Sequence, residues 1–316
     1  MRQFIAFGDA YERATTLPVS DVMLCGFITW LAARGLKIST IKVYLFAVRA
    51  AQLDAGLPFE PWRKRHSVFM TLQGARRIHG DYTSRKGAIT IGMLWRMAAH
   101  ARVAQGDPKR AILMGAVWAA ILVGFFGMLR KDNLTKGKKD AFNVSRGLRR
   151  TDVDLQQSKL WLRLRVSKTI QYSEEPHVLG LVATDSPICP VRAVREHLRL
   201  TPDSGGASYL FVTKPKGPKG AAAVPLSHAT LVAEIRKLLA AIGEDPRKFS
   251  GHSLRRGGAS FAYELGLPEA AIQAHGNWKS EAVRVYRECG PAQRLELPAR
   301  LAQEALRAAN AQVGGS

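Results

Sequence analysis

Nineteen consecutive residues without a charge, Ala111 to Leu129 (AILMGAVWAAILVGFFGML), constrain this chain more than any other feature. A run of that length is close to the roughly 20 residues that cross a bilayer. A helix apolar on every side must otherwise be buried inside protein. Basic pairs flank both ends, Lys109 and Arg110 before and Arg130 and Lys131 after, so no positive-inside asymmetry sets an orientation. Glycines at 115, 124 and 127 also interrupt a simple span. The run therefore predicts the central core helix of a domain, with no membrane partner. The opening Met1-Arg2-Gln3-Phe4 carries no basic segment leading into an apolar run, so no signal peptide is expected.

Charge points to the partner. Across 316 residues, 47 Lys and Arg stand against 25 Asp and Glu, a net charge of +22. Such an excess repels itself unless a polyanion neutralises it, and inside a cell nucleic acid is the leading candidate. With 47% hydrophobic residues the chain can build a core, and its length suggests two domains. Three cysteines, Cys25, Cys189 and Cys289, form neither an even disulfide set nor a CxxC pair. No metal site is expected from them, and a reducing, intracellular compartment fits best.

The first eighty residues read as a helical module. One helix is predicted from about Ser20 to Ala33, stopping at Arg34-Gly35. A second is capped by Ser39, carries Ile41, Tyr44, Leu45 and Val48 on one face, and ends at Gly56. The polar, basic segment Arg76 to Lys86 is the expected linker, giving domains at 1–80 and 87–316. Beyond the uncharged run comes a basic loop with Lys136, Lys138 and Lys139. Alternation then places Leu160, Leu162, Leu164 and Val166 on one face and Trp161, Arg163 and Arg165 on the other, the pattern of a half-buried strand. A second strand from about Pro176 to Val182 can pair with it. The loop Lys214 to Lys219 is broken by Pro and Gly. Ile235, Leu238, Leu239 and Ile242 mark a further helix ended by Gly243, Phe261 to Leu265 another ended by Gly266, and Pro268 suits the first turn of the next. A final helix carries Leu301 and Leu306. The fold class is mainly α with a small antiparallel β-sheet (α+β).

Chemically capable residues concentrate between Gly251 and Arg287. His252 and Arg255 lie three apart and share a helix face, with Arg256 beside them. Such a pair suits a phosphate, because the guanidinium offers a planar fork of donors and the imidazole exchanges a proton near neutral pH. Downstream stand His275, Trp278 and Tyr286. A phenol is a poor nucleophile at pH 7 unless neighbours accept its proton or stabilise the phenolate.

The His252-Ser-Leu-Arg255 box, the GNWKS segment with Trp278 and the tyrosine eight positions on, Tyr286, resemble the C-terminal signature of the tyrosine recombinase (phage integrase) family. The form G-x-W-K-S-x-A resembles most the recombinases of Crypton-type and DIRS-type mobile elements. Gly127-Met-Leu-Arg130 resembles the family's first arginine box, and Ser167-Lys168-Thr169 its hairpin lysine. The module before Gly80, with Gly35-Leu-Lys-Ile-Ser-Thr-Ile-Lys-Val-Tyr44, is similar to the family's helical, SAM-like core-binding domain.

What the resemblance implies is cleavage and rejoining of double-stranded DNA at inverted-repeat sites, by a homo-tetramer, through a covalent 3′-phosphotyrosine. Tyr286 would attack the phosphate, Arg130 and Arg255 would hold its non-bridging oxygens, and Lys168 would protonate the leaving 5′ oxygen. His252 would handle the nucleophile's proton and Trp278 would position the phosphate. Neither metal nor small-molecule cofactor is required. His275 is an alternative to Trp278, and Lys159 to Lys168. Lys136, Lys138, Lys139, Lys42, Arg49 and Arg256 are the expected DNA contacts. The family commonly has Glu three after its first arginine, whereas Asn133 stands here. A DNA-binding protein of this fold without catalysis, a type IB topoisomerase-like enzyme and a helix-turn-helix protein built on Leu265-Gly-Leu-Pro are the competing readings, and Cys289 is read as a packing residue.

Overall fold

The computed structural model of the chain describes residues 1–80, 86–102, 107–136, 147–165, 176–202, 208–214, 223–278 and 283–284. It divides into two compact units, Met1–Arg85 and Lys86–Ser316.

The N-terminal unit holds four helices, α1 (Arg2–Ala10), α2 (Asp21–Ala33), α3 (Ile38–Asp54) and α4 (His66–His79). Ser20 caps α2 by accepting the Met23 N–H at 3.3 Å, and Gly35 and Gly56 take up positive φ after α2 and α3 as expected. The start of α3 differs from expectation: Lys37 is the N-cap and Ser39 lies within the first turn. Ile38, almost fully buried, draws the helix back by two residues. Phe4, Phe7, Leu24, Phe27, Ile28, Leu31, Ile41, Leu45, Val48, Val68 and Leu72 make one core. The Asp21 carboxylate ties the start of α4 to the start of α2, accepting from Arg65 Nε at 2.5 Å and Ser67 Oγ at 2.6 Å. Those bonds, Ser67 foremost, hold its pKa below the usual carboxylate range. α4 runs through Arg76 and Arg77, inside the predicted linker, because Ala75 still packs on the core and basic residues favour a helix C-terminus.

In the C-terminal unit the uncharged run forms α6 (Pro108–Phe126), capped by Asp107, whose carboxylate accepts the Lys109 N–H at 2.9 Å. By length and hydropathy it is the one candidate span among the described residues. Its apolar surface is instead covered by protein, as predicted: Ala116, Val117, Ala119–Val123 and Phe125 are buried. Full burial contributes roughly 1.5–3 kcal/mol for each large side chain. The helix stops three residues before Leu129, where Gly127 caps it and Met128 turns into the left-handed region at φ 48°.

Around α6 pack α5 (Ile91–Arg102), α8 (Pro190–Leu200), α9 (His228–Ala241) and α10 (His252–Glu264), with the short α7 (Lys131–Leu134) and α11 (Glu269–Gly276) beside them. The strands β1 (Val153–Leu155), β2 (Lys159–Leu164) and β3 (His177–Val182) form an antiparallel sheet in that order. Leu160, Leu162 and Leu164 point into the core while Lys159, Trp161 and Arg163 face out, as the alternation predicts. The register pairs Leu160 with Leu181, Leu162 with Leu179 and Leu164 with His177. Val166 and the hairpin tip lie outside the described residues. Lys214, predicted to begin an irregular loop, is the last residue of β4 (Val212–Lys214), which pairs with β5 (Val224–Pro225). Residues 215–219 of that loop and the final helix with Leu301 and Leu306 also fall outside the described residues.

Two glycines let α10 lie directly on its neighbours. A Cβ at Gly257 would sit 1.9 Å from the Ile89 carbonyl oxygen, and one at Gly258 would sit 2.0 Å from that of Phe125. Neither obstacle is a flexible side chain. Gly258→Ala is therefore expected to destabilise the protein by about 3 kcal/mol, at the upper end for overpacking, measured as a lowered midpoint in urea unfolding with unchanged slope.

His197 of α8 is fully buried and its Nε2 accepts the Val212 N–H at 3.3 Å. Burial, then the nearby Arg150 charge, pushes its pKa down to about 4. The unfolded chain binds this proton below about pH 6.5 and the folded chain does not, so stability is full above that pH and falls between it and 4. The loss is roughly 3 kcal/mol. Urea unfolding at several pH values should show it, and His197→Gln should flatten that part of the profile.

Candidate functional site

The two arginine boxes arrive at one place by different routes. Arg130 follows the turn that ends α6 and serves as the N-cap of α7, its backbone extended. Its carbonyl accepts the Asn133 N–H at 2.9 Å, while the Asn133 carbonyl accepts the Leu148 N–H at 2.9 Å. Asn133, in the position where the resemblance leads one to expect a Glu, is buried and ties the arginine turn to the strand region. Arg255 comes from the first turns of α10 and is only 2% exposed. Its Nη1 donates to the Met128 carbonyl, two residues before Arg130.

Trp278 completes this shelf. After α11, Asn277 adopts φ 52°, and the indole folds back over Gly276, where any Cβ would collide with the ring at 1.7 Å. The Arg255 guanidinium lies over the indole, 3.6 Å from its centroid. That cation–π contact fixes the fork of donors in one plane and contributes on the order of 2 kcal/mol when desolvated. Met128, Ala259, Ala262, Ile272 and Val283 pack around Trp278 as a small separate core.

His252 lies at the edge of this shelf, in the first turn of α10. Burial lowers its pKa below the ordinary imidazole value, and the charges of Lys131, Arg255 and Arg130 lower it further, against the opposing pull of Asp132. Those charges come from the start of α7 and from one turn further along α10 itself. At neutral pH the ring is a free base, able to take a proton from a phenol and unwilling to keep it.

His275 has a different place. Its Nε2–H donates to the Phe126 carbonyl at 2.8 Å, and its own carbonyl accepts from His177 Nε2 at 3.3 Å. These bonds tie α11 to the end of α6 and to the start of β3. The structure thus brings Trp278, and not the His275 ring, onto Arg255. His177 is kept below the ordinary imidazole pKa by burial first, with the His275 and Arg255 charges adding to it against the His275 carbonyl bond. His177 pairs with Leu164, so the Arg165 end of β2 is the end near Arg255. Asp152 anchors that end, accepting from Arg165 Nε at 2.5 Å. Lys159 begins β2 five residues before Leu164, about 17 Å away along the strand. It is set apart from the shelf, whereas Ser167-Lys168-Thr169 continues the chain from the near end.

Lys168, Tyr286, Lys138 and Lys139 lie outside the described residues. Of the expected DNA contacts, Lys136 is exposed, with its backbone N–H held by the Leu226 carbonyl at 2.9 Å. Lys42 and Arg49 lie on the exposed face of α3. Arg256 donates Nη1 to the Lys86 carbonyl at 2.7 Å. No group of three or more His, Cys, Asp or Glu able to hold a metal occurs among the described residues. Three residues of this neighbourhood escaped sequence reasoning: Lys131, His177 and His228. Each sits beside a motif and not inside one, and the available signals were faint, a His after Pro176 at a strand start and a His after the capping Ser227.

The chain matches no protein-family profile. It is 23% identical over 277 residues to an integrase/recombinase xerD homolog of Selenomonas ruminantium, covering 86% of this chain and 74% of that protein. Among solved structures it resembles the XerH site-specific recombinase bound to palindromic difH substrate in a post-cleavage complex, with a TM-score of 0.60 and 15% identity over 95% of this chain and 77% of that one. It likewise resembles the Tn1549 transposon integrase in complex with transposon right end DNA, with a TM-score of 0.59 and 14% identity over 95% of this chain and 91% of that one. The chain has the fold of the tyrosine recombinases, and over most of its length its sequence is similar to a protein described as an integrase/recombinase.

Proposed function

We propose that this protein is a site-specific DNA recombinase that breaks and rejoins strands through a covalent 3′-phosphotyrosine. The observation that carries the reading is the convergence of Arg130, Arg255 and a neutral His252 beside Trp278, in a protein of net charge +22. The Arg255 fork is buried, flat and braced, which suits it to gather negative charge on a phosphate more than to bind solvent.

In the proposed reaction the Tyr286 phenol attacks phosphorus and loses its proton to His252. Arg130 and Arg255 stabilise the charge on the two non-bridging oxygens, which is largest in the transition state. The P–O5′ bond breaks as Lys168 protonates the departing oxygen, and the phosphotyrosyl ester retains the energy for resealing. Arg284, two residues before Tyr286, donates Nε to Glu269 Oε1 at 2.9 Å, and Val283 is buried against the Trp278 cluster. The described chain thus ends its approach beside the shelf. Double-stranded DNA with inverted-repeat sites is the proposed substrate, a homo-tetramer the working assembly, and the cell compartment holding DNA the place of action. The N-terminal unit is the proposed core-binding domain, with Lys42 and Arg49 facing DNA. Kinship with Crypton-type and DIRS-type elements rests on the G-x-W-K-S-x-A form alone.

The test is a nicked, end-labelled duplex carrying a candidate site, incubated with protein and then denatured. Label that migrates with the protein is the expected result. Wild-type protein that binds the duplex and never retains label would refute cleavage. Relaxation of any supercoiled plasmid without a specific site would move the assignment to a topoisomerase.

A further inference from the structure

A second imidazole lies beside His252. His228 opens α9, and its ring occupies the space that a side chain at residue 251 would need. A Cβ at Gly251 would sit 2.9 Å from His228 Cε1 and 3.2 Å from Lys131 Cβ. Gly251 is the N-cap of α10, one residue before His252. The start of α9 is itself held firmly. The Ser227 hydroxyl accepts the Thr230 N–H at 3.0 Å, and the Lys136 N–H donates to the Leu226 carbonyl at 2.9 Å. A ring carried on this anchored helix start therefore backs the turn that presents His252.

The same ring shares an electrostatic field with His252. Lys131 and Asp132 of α7 act on both imidazoles, Arg130 and Arg255 act on His252 as well, and His252 acts on His228. Burial and the Lys131 charge, opposed by Asp132, keep His228 neutral under ordinary conditions. Influence between two titrating sites is mutual, so a charge on either ring makes the other harder to protonate.

We propose that His228 is a positioning residue for strand cleavage, packed under the first turn of α10 so that its shape orients the His252 imidazole and its charge state governs how readily that imidazole accepts the phenol's proton. The inference rests on the cleavage chemistry proposed above. It assigns no contact between His228 and DNA.

The discriminating experiment is single-turnover formation of the covalent adduct on a nicked duplex from pH 5 to 9, with binding to the same duplex followed by fluorescence anisotropy. The acid limb of that profile reports deprotonation of His252. His228→Lys places a permanent positive charge beside His252 and is expected to shift the limb to lower pH, while reducing the plateau rate about tenfold because the base is weaker. His228→Gln removes the ring that competes with His252 for a proton on the acid side and is expected to shift the limb to higher pH. Neither change should weaken binding by more than about threefold, a span of about 0.5 in log Kd. Shifts in opposite directions cannot come from a ring that only fills space. A limb that stays where wild type has it in both variants, or moves the same way in both, overturns the proposal. Should the Lys variant not fold, as judged by thermal unfolding, the Gln variant alone decides, and an unmoved limb overturns it. Wild-type protein that forms no adduct would instead refute the underlying recombinase reading, so the two failures are distinguishable.

Discussion

Arg255→Lys is expected to lower the rate of covalent adduct formation by about 10²–10³-fold, the usual effect of removing a donor aimed at transition-state charge, while Kd for the duplex changes by only about threefold, a span of about 0.5 in log Kd. The substitution keeps the positive charge, so a loss of this size isolates geometry from electrostatics. A lysine cannot present two parallel N–H donors, nor lie flat on Trp278 as the guanidinium does at 3.6 Å. It also withdraws the donor from the Met128 carbonyl, a bond that holds the Arg130 turn against α10. The same change should therefore cost about 1–3 kcal/mol in stability, measured by urea unfolding. Trp278→Phe supplies the control. The ring face remains for Arg255 to lie on and the indole N–H is lost, so adduct formation by that variant measures what the N–H itself adds. Equal rates for wild type and Arg255→Lys would remove Arg255 from the reaction.

How much of this was legible beforehand follows from the range of the interactions. The central helix was readable because nineteen uncharged residues in a folded core have one place to go, its centre. Alternation about Leu160, Leu162 and Leu164 was readable for the same reason, since a strand with one buried face writes a period of two into the sequence. His252 and Arg255 were readable as a pair because helical spacing puts positions three apart on one face. The choice between His275 and Trp278 was open in the sequence. Both precede Tyr286 at plausible distances, and only the left-handed turn at Asn277 shows which one folds back over Gly276 onto Arg255. Arg256 takes a different partner from Arg255 for a related reason. It follows Arg255 directly, yet one step along a helix rotates a side chain by about 100°, enough to carry it to the Lys86 carbonyl. For Lys159 the register adds what the sequence lacked, its place at the end of β2 away from His177, while Lys168 lies outside the described residues. His228 was invisible, because nothing in a sequence says that residues 228 and 251 share one small volume.

Tyr286→Phe is expected to abolish the covalent adduct, below about one part in a thousand of wild type, a barrier increase of more than about 4 kcal/mol, with duplex binding unchanged. One missing oxygen removes the nucleophile and leaves the surrounding packing nearly the same. The harder question is which protomer's tyrosine serves which shelf, and the chain suggests an answer. Val283 is buried with Trp278 and Arg284 is tied to Glu269 in the first turn of α11. Tyr286 follows that anchor by only two positions, at most about 7 Å of chain. Reaching a shelf on another molecule would require releasing Val283 from its core and Arg284 from its carboxylate. Mixing Tyr286→Phe with Arg255→Lys should therefore restore no adduct. The first protein has an intact shelf without a nucleophile, and the second has a nucleophile facing a defective shelf of its own. Complementation to a sizeable fraction of wild type would mean that the segment after Arg284 crosses between protomers. Absence of complementation, with both variants still binding the duplex, would mean that each shelf is served by the tyrosine next to it in the same chain.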